Sequence, residues 1–240
     1  MRRREFLGAL ISAATLWPSI ARAQRAVPVI GLLGSATADE YAPMIATFLK
    51  GSSEAGYIQG QSVTFEYAWA DHHYERLPML VSELVERQVK VILAASTPSA
   101  LAAKLATSTI PIVFAIGGDP VGTGLVGSLS RPDSNVTGAA HRNVDTAPKR
   151  LELLHELLPG GTSFGLLTNP NNTLTASVER AVRTAAEVLS VQLMALHAST
   201  EQELEATLRL AANGLVTGLV IGTDSLFRGA FPSSARDRFN

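Results

Sequence analysis

The sequence predicts an α/β fold in two lobes, each a parallel sheet flanked by helices. Three observations carry that expectation. Short apolar runs rich in branched residues alternate with single amphipathic helices, the pattern of βαβ units. The alternation breaks once, over 117–145, in Gly-, Pro- and Asp-rich sequence, and then resumes. A chain of 240 residues that is 46% hydrophobic can bury one large core or two small ones.

The N-terminus stands apart. Residues 1–23 read as an export signal: Arg2, Arg3 and Arg4, then an apolar stretch over 6–17, then Ala21-Arg22-Ala23 before Gln24. The apolar stretch is shorter than the ~20 residues needed to span a bilayer. Arg3-Arg4-Glu5-Phe6-Leu7 fits the R-R-x-F-L twin-arginine pattern, but Arg2 stands where Ser or Thr is usual. The route, general secretory or twin-arginine, stays open. Removing this segment, with its four arginines and one glutamate, takes the formal net charge from −1 to −4. Such a mildly acidic chain has no basic field for nucleic acid. With no cysteine, disulfides, thiolate metal sites and a cysteine nucleophile are excluded together.

The first lobe is expected over 24–140. Residues 27–33 (VPVIGLL) form a strand ending at Gly34-Ser35-Ala36-Thr37. Tyr41, Met44, Ile45, Phe48 and Leu49 then form one apolar helical stripe, stopped near Gly56. Residues 62–69 alternate Val63, Phe65, Tyr67 and Trp69 on one side of a second strand. A helix carries Tyr74, Leu77, Leu80, Val81, Leu84 and Val85, and 89–95 is the third strand. Thr97 is the expected cap of the next helix, with Pro98 at its first position. Residues 110–116 are the fourth strand, and 135–138 (NVTG) lead toward the hinge.

The second lobe is expected over 141–228. Helix 146–158 stops at Pro159-Gly160-Gly161, and strands follow at 163–168, 191–196 and 218–222. Between them lie a helix marked by Leu174, Val178, Ala181, Val182, Ala185 and Leu189, and another over 200–212. The tail, 229–240, is polar and without periodicity.

Motifs for catalysis fail on context. Gly122 to Gly127 spells G-x-G-x-x-G, yet Asp119-Pro120 separates it from the preceding strand and no strand ends at Asp145. His72-His73 reads as a solvated loop rather than a metal site. His155-Glu156 lacks the second His of H-E-x-x-H and reads as an exposed helix position. No nucleophile elbow or Walker A sequence occurs. Asp39, Glu40, Asp119 and Asp224 do not gather beyond one adjacent pair. The expectation is therefore no enzyme, no cofactor and no metal.

What remains is position. Ser35, Thr37, Ser96, Thr97, Gly117, Asp119, Pro120, Asn169, Asn171, Thr223 and Asp224 all follow expected strands. In open α/β sheets, ligands bind beyond the carboxyl ends of the strands. Hydroxyl and amide groups there, with helix N-terminal amides, suit a ligand carboxylate. Asp119 or Asp224 suits an ammonium. Ser, Thr, Asn and Asp are also ordinary helix caps, so both readings stand at each position.

VPVIGLLGS (27–35), EAGYIQGQSVTFEYAWA (54–70), VKVILAASTPSALAAK (89–104) and the stretch from 110 to 138 resemble the ABC-transporter substrate-binding proteins of the tryptophan-binding (TrpX-type) group, as do KRLELLHELLPG (149–160), NPNN (169–172) and GLVIGTDSLF (218–227). The resemblance implies a type 1 periplasmic binding protein whose two lobes close by a hinge on a small ligand. It implies an amino acid or similar solute, passed to a membrane permease and ATPase, with the strand-end residues above lining the cleft. Members of that family continue well beyond residue 222, so an incomplete second lobe, from truncation or a frame shift, is expected. The alternatives are a periplasmic sensor module of the same fold and, lower in rank, an exported α/β enzyme.

Overall fold

The structure, a computed structural model, describes residues 27–130, 135–141 and 143–230. The export signal expected over 1–23, and all of the expected 229–240 tail except its first two residues, lie outside the described residues.

The first lobe runs β1 (Val29–Gly34), α1 (Ala38–Glu54), β2 (Thr64–Trp69), a 3-10 turn (Tyr74–Arg76), α2 (Leu77–Glu86), β3 (Val91–Ala94), α3 (Thr97–Ala106), β4 (Ile112–Ile116) and β5 (Val136–Ala140). Its sheet has the order β2-β1-β3-β4-β5, with every pair parallel. Parallel sheets need both faces covered, and here they are. Leu80, Val81 and Leu84 of α2 and Ala100 and Ala103 of α3 pack on one face with Ile92, Ile112, Phe114 and Ile116. Ile45, Phe48 and Leu49 of α1 cover Leu32, Val63 and Phe65 on the other.

The fifth strand departs from the four that the sequence predicts. Residues 135–138, expected to approach the hinge, instead run into β5, which pairs in register with β4, Phe114 opposite Gly138. Only Val136 of this strand is buried, so no apolar alternation marks it. It is held by backbone bonds and by a close approach: a Cβ on Gly138 would fall against the Phe114 carbonyl and 2.6 Å from its nitrogen. The one-sided alternation expected of β2 also gives way. Tyr67 is exposed, while Ala68 and Ala70, on the other face, are buried, because β2 is the edge strand and both its faces meet helices.

In the second lobe a 3-10 turn (Asn143–Thr146) leads to α4 (Ala147–Leu157), β6 (Ser163–Thr168), α5 (Thr175–Leu189), β7 (Gln192–His197), α6 (Glu201–Leu210), β8 (Gly218–Ile221) and α7 (Ser225–Ala230). The helix expected over 200–212 gives way at Leu210 to a wide turn over Ala211–Leu215, where Gly214 takes φ +87°, a left-handed value that glycine adopts without a Cβ penalty. α7 extends two residues into the stretch expected to be aperiodic. Among the described residues the sheet is β7-β6-β8, all parallel. Phe164 and Leu166 of the central strand are fully buried against α4 and α5 through Leu151, Val178 and Val182. His155, expected to be exposed, packs edge-to-face on Phe164 at 6.0 Å.

Both sheets switch direction in the same way. From β1 the chain goes outward to β2 and then returns past β1 to β3; from β6 it goes to β7 and returns past β6 to β8. The loops leaving a pair such as β1 and β3 diverge to opposite faces, which opens a crevice at the strands' carboxyl ends.

Candidate functional site

The two crevices share one cavity of ≈ 270 Å³, near the lower end of the ~300–1,000 Å³ usual for small-molecule sites. From the first lobe it is lined by Ser35 after β1, Ser96 and Thr97 after β3 and Gly117 after β4. The second lobe contributes Asn172, Leu174, Thr223, Asp224 and Ser225.

The first-lobe wall is stiff. Thr37 and Glu40 form a capping box at the start of α1, with the Glu40 N–H donating to Thr37 Oγ1 at 3.4 Å and Thr37 N–H to Glu40 Oε2 at 3.1 Å. One turn on, Tyr41 accepts from the Ser35 N–H at 3.2 Å, donates to the Ala95 carbonyl at 3.3 Å and stacks on Trp69 at 5.0 Å. Gly34 admits that stack, since a Cβ there would meet Trp69 at 2.6 Å.

The N-cap of α3 is Ser96, not Thr97: its Oγ accepts from the Ser99 N–H at 3.2 Å. Ser96 has the extended backbone that a cap requires, and Thr97 is already inside the helix. Thr97 is consequently buried, 1% exposed, with an Oγ1 that has no hydrogen-bond partner among the described residues. Buried hydroxyls are almost always paired, and Thr97 is one of the residues that line the cavity.

The second-lobe wall centres on Asp224. Its Oδ1 accepts from Asn169 Nδ2 at 3.2 Å and the Leu226 N–H at 2.9 Å. Its Oδ2 accepts from Asn172 Nδ2 at 2.7 Å and, across the cleft, from the Tyr74 hydroxyl at 2.7 Å. Burial first, and then the charge of Asp224, push the Tyr74 phenol well above its ordinary value, so Tyr74 stays a donor. Beside it, His72 reaches Ser225 Oγ with Nδ1 at 3.3 Å and Glu40 Oε2 with Nε2 at 3.0 Å. Its side chain is 14% exposed, so this is not the solvated loop position the sequence predicts.

Residues 37–236 match the family described as ABC transporter substrate binding protein. The chain belongs to that family. It is 28% identical, over 186 residues, to the tyrosine-binding protein of Clostridioides difficile strain R20291, a match covering 77% of this chain and 53% of that protein. It thus spans about half the length of this curated relative. A conserved domain protein of Vibrio cholerae aligns with TM-score 0.72 at 25% identity, covering 80% of this chain and 64% of the other. The ABC domain of Streptococcus pneumoniae in complex with L-Trp aligns with TM-score 0.74 at 22% identity, covering 85% and 68%; at that identity the likeness is one of fold. The α/β fold with parallel sheets flanked by helices is the periplasmic-binding-protein fold of these neighbours.

In this chain, six of the eleven strand-end residues expected to bind ligand line the cavity: Ser35, Ser96, Thr97, Gly117, Thr223 and Asp224. The other five do not. Thr37 is spent on the α1 cap. Asp119, expected at the cleft, folds onto its own loop, where Oδ1 accepts from the Val121 N–H at 3.0 Å; short Asp side chains favour such local turns. Pro120 is buried behind the same turn. Asn169 is buried and positions Asp224, and Asn171 is exposed, its N–H donating to Asn169 Oδ1 at 3.0 Å. Asp224 lines the cavity, but its four contacts match the roughly four acceptor sites of a carboxylate, so it is not an open ammonium acceptor.

Sequence reasoning missed Glu40, Tyr74, Asn172 and Ser225 as cavity residues. Asn172 lies in the same NPNN turn as the two asparagines that were chosen. A signal was present only in its place before α5, where Oδ1 accepts from the Leu174 N–H at 2.9 Å. Tyr74 is 150 residues from Asp224 in sequence, and no local pattern marks that pairing.

Proposed function

We propose that this chain is a receptor that captures a small solute, an amino acid or close analogue, between its lobes and presents it to an ABC permease and ATPase. Thr97, a cavity-lining residue at the start of α3 whose buried hydroxyl has no partner among the described residues, is the observation that carries this reading. A ligand carboxylate there would give that hydroxyl an acceptor and meet the positive end of the helix dipole. The contacts of Glu40 with the Thr37 N–H, the Thr37 hydroxyl and His72 all fall on Oε2, which leaves Oε1 to accept from an ammonium. Met44, Ile116 and Leu174 supply apolar wall. The names of two similar proteins, one tyrosine-binding and one in complex with L-Trp, favour the amino-acid class.

The reading is of a binding protein rather than a catalyst, and of one that works outside the cytoplasm. The arginine-led segment at 1–23 supports export with removal of that segment, and no helix among the described residues is long and apolar enough to cross a membrane. A thermal-shift panel of free amino acids and related small acids tests the capture. A true ligand at a hundredfold excess over Kd stabilises by about 2.7 kcal/mol. A folded sample that responds to no member of the panel overturns the proposal.

A further inference from the structure

Beside the cavity, the lobes are joined across the cleft by direct side-chain hydrogen bonds, Tyr74 to Asp224 and His72 to Ser225. We infer that Tyr74, with His72 beside it, is a latch: it holds the lobes shut through Asp224 and Ser225, and so sets the closed population independently of the solute's own contacts. The inference rests on the receptor reading above and concerns how that receptor is regulated.

The geometry is that of a prepared clasp. On the second lobe, Asn169 and the Leu226 N–H hold one oxygen of Asp224, which presents the other to Asn172 and to the Tyr74 hydroxyl at 2.7 Å each. Asn172 Nδ2 also approaches the Tyr74 oxygen, at 3.4 Å. A hydroxyl donating to a carboxylate is among the stronger hydrogen bonds, and more so away from water.

On the first lobe the support is built at a conformational cost. Asp71 and His72 take φ +51° and +66°, the left-handed region that non-glycine residues avoid, and such positions gather at switch regions. The turn is secured by the His72 N–H on the Ser35 carbonyl at 2.7 Å and by Arg76 on Asp71 at 2.6 Å. Its product is an imidazole placed between Glu40 at 3.0 Å and Ser225 of the other lobe at 3.3 Å. Ser225 in turn lies 3.2 Å from the Tyr74 hydroxyl, which closes the ring of contacts. Apparent affinity scales with the fraction of protein in the binding-competent state. A latch that favours closure therefore tightens binding of any solute the cavity accepts, chiefly by slowing its release.

The test reads closure without any solute. The chain has no cysteine, so Lys50→Cys on α1 and Glu187→Cys on α5, both exposed, carry spin labels for interlobe distance measurement. Solute-free Tyr74→Phe, which keeps the ring but removes the hydroxyl, is expected to lower the closed-to-open ratio about tenfold (about 1.4 kcal/mol) relative to the unsubstituted latch. Superimposable distance distributions overturn the latch. Should Tyr74→Phe fail to fold, Ser225→Ala, expected to lower the ratio about threefold, decides in the same way. The amino-acid panel on the unsubstituted chain reads the receptor proposal separately: a panel response with unmoved distances sinks the latch alone, and moved distances without a panel response sink only the receptor reading.

Discussion

Replacing Thr97 by valine separates stability from binding. Thr97 is 1% exposed and its Oγ1 lacks a partner among the described residues, so the folded protein without solute carries the desolvation cost of a buried hydroxyl, about 1–3 kcal/mol. Valine keeps the branched shape and removes that cost. For a chain of this size each kcal/mol moves Tm by about 2–4 °C, so Thr97→Val should raise the solute-free Tm by several degrees. The same change removes the donor proposed for the ligand carboxylate. A hydrogen bond to a charged group is worth about 1.5–3 kcal/mol, and every 1.4 kcal/mol is tenfold, so affinity should fall at least tenfold. Calorimetric unfolding without solute, paired with titration of whichever amino acid the panel identifies, measures both. A lower Tm, or an unchanged affinity, refutes the assignment of Thr97.

Three further outcomes test the framework. Gly51 lies within α1 with open space where a Cβ would go, so Gly51→Ala should stabilise by about 0.5–1 kcal/mol, read by denaturant unfolding. Gly138→Ala should cost several kcal/mol or abolish soluble expression, because its Cβ would fall on the Phe114 backbone and β5 would lose its place on the sheet. Glu179 gives a pH signature: burial opposes its ionisation, but hydrogen bonds from His197 and Thr168 outweigh burial and hold its carboxyl below the usual 4.5. Its stabilising contribution is full above that value and is lost as pH falls through the lower folded value. Thermal unfolding from pH 6 to pH 3 should therefore show a shallower acid loss in Glu179→Gln than in the unsubstituted protein.

Much of the fold was legible because parallel sheets and their covering helices write themselves into local apolar periodicity. β4 shows this with buried Ile112, Phe114 and Ile116, and α5 with Val178, Val182 and Ala186 on one face. β5 was not legible because backbone pairing and a close glycine contact hold it, not side-chain burial. The site was legible at half resolution. Strand ends could be located, so Ser35, Ser96, Thr97 and Thr223 came out on the cavity. Which way each polar side chain turns is a contest between local capping and distant partners. Thr37 and Asp119 went to their own loops, while Tyr74 and His72 went across the cleft. Pairings over 150 residues leave no trace in spacing.

The resemblance carried the family, and the match over residues 37–236 establishes it. What the cleft holds is the central claim, and mass spectrometry of solutes released by denaturing freshly purified full-length chain addresses it most directly. The account predicts one small solute with a free carboxylate and an ammonium, near one per chain, and much reduced from Thr97→Val. No released solute from a folded sample that also ignores added amino acids, or the same solute retained in full by Thr97→Val, would contradict it.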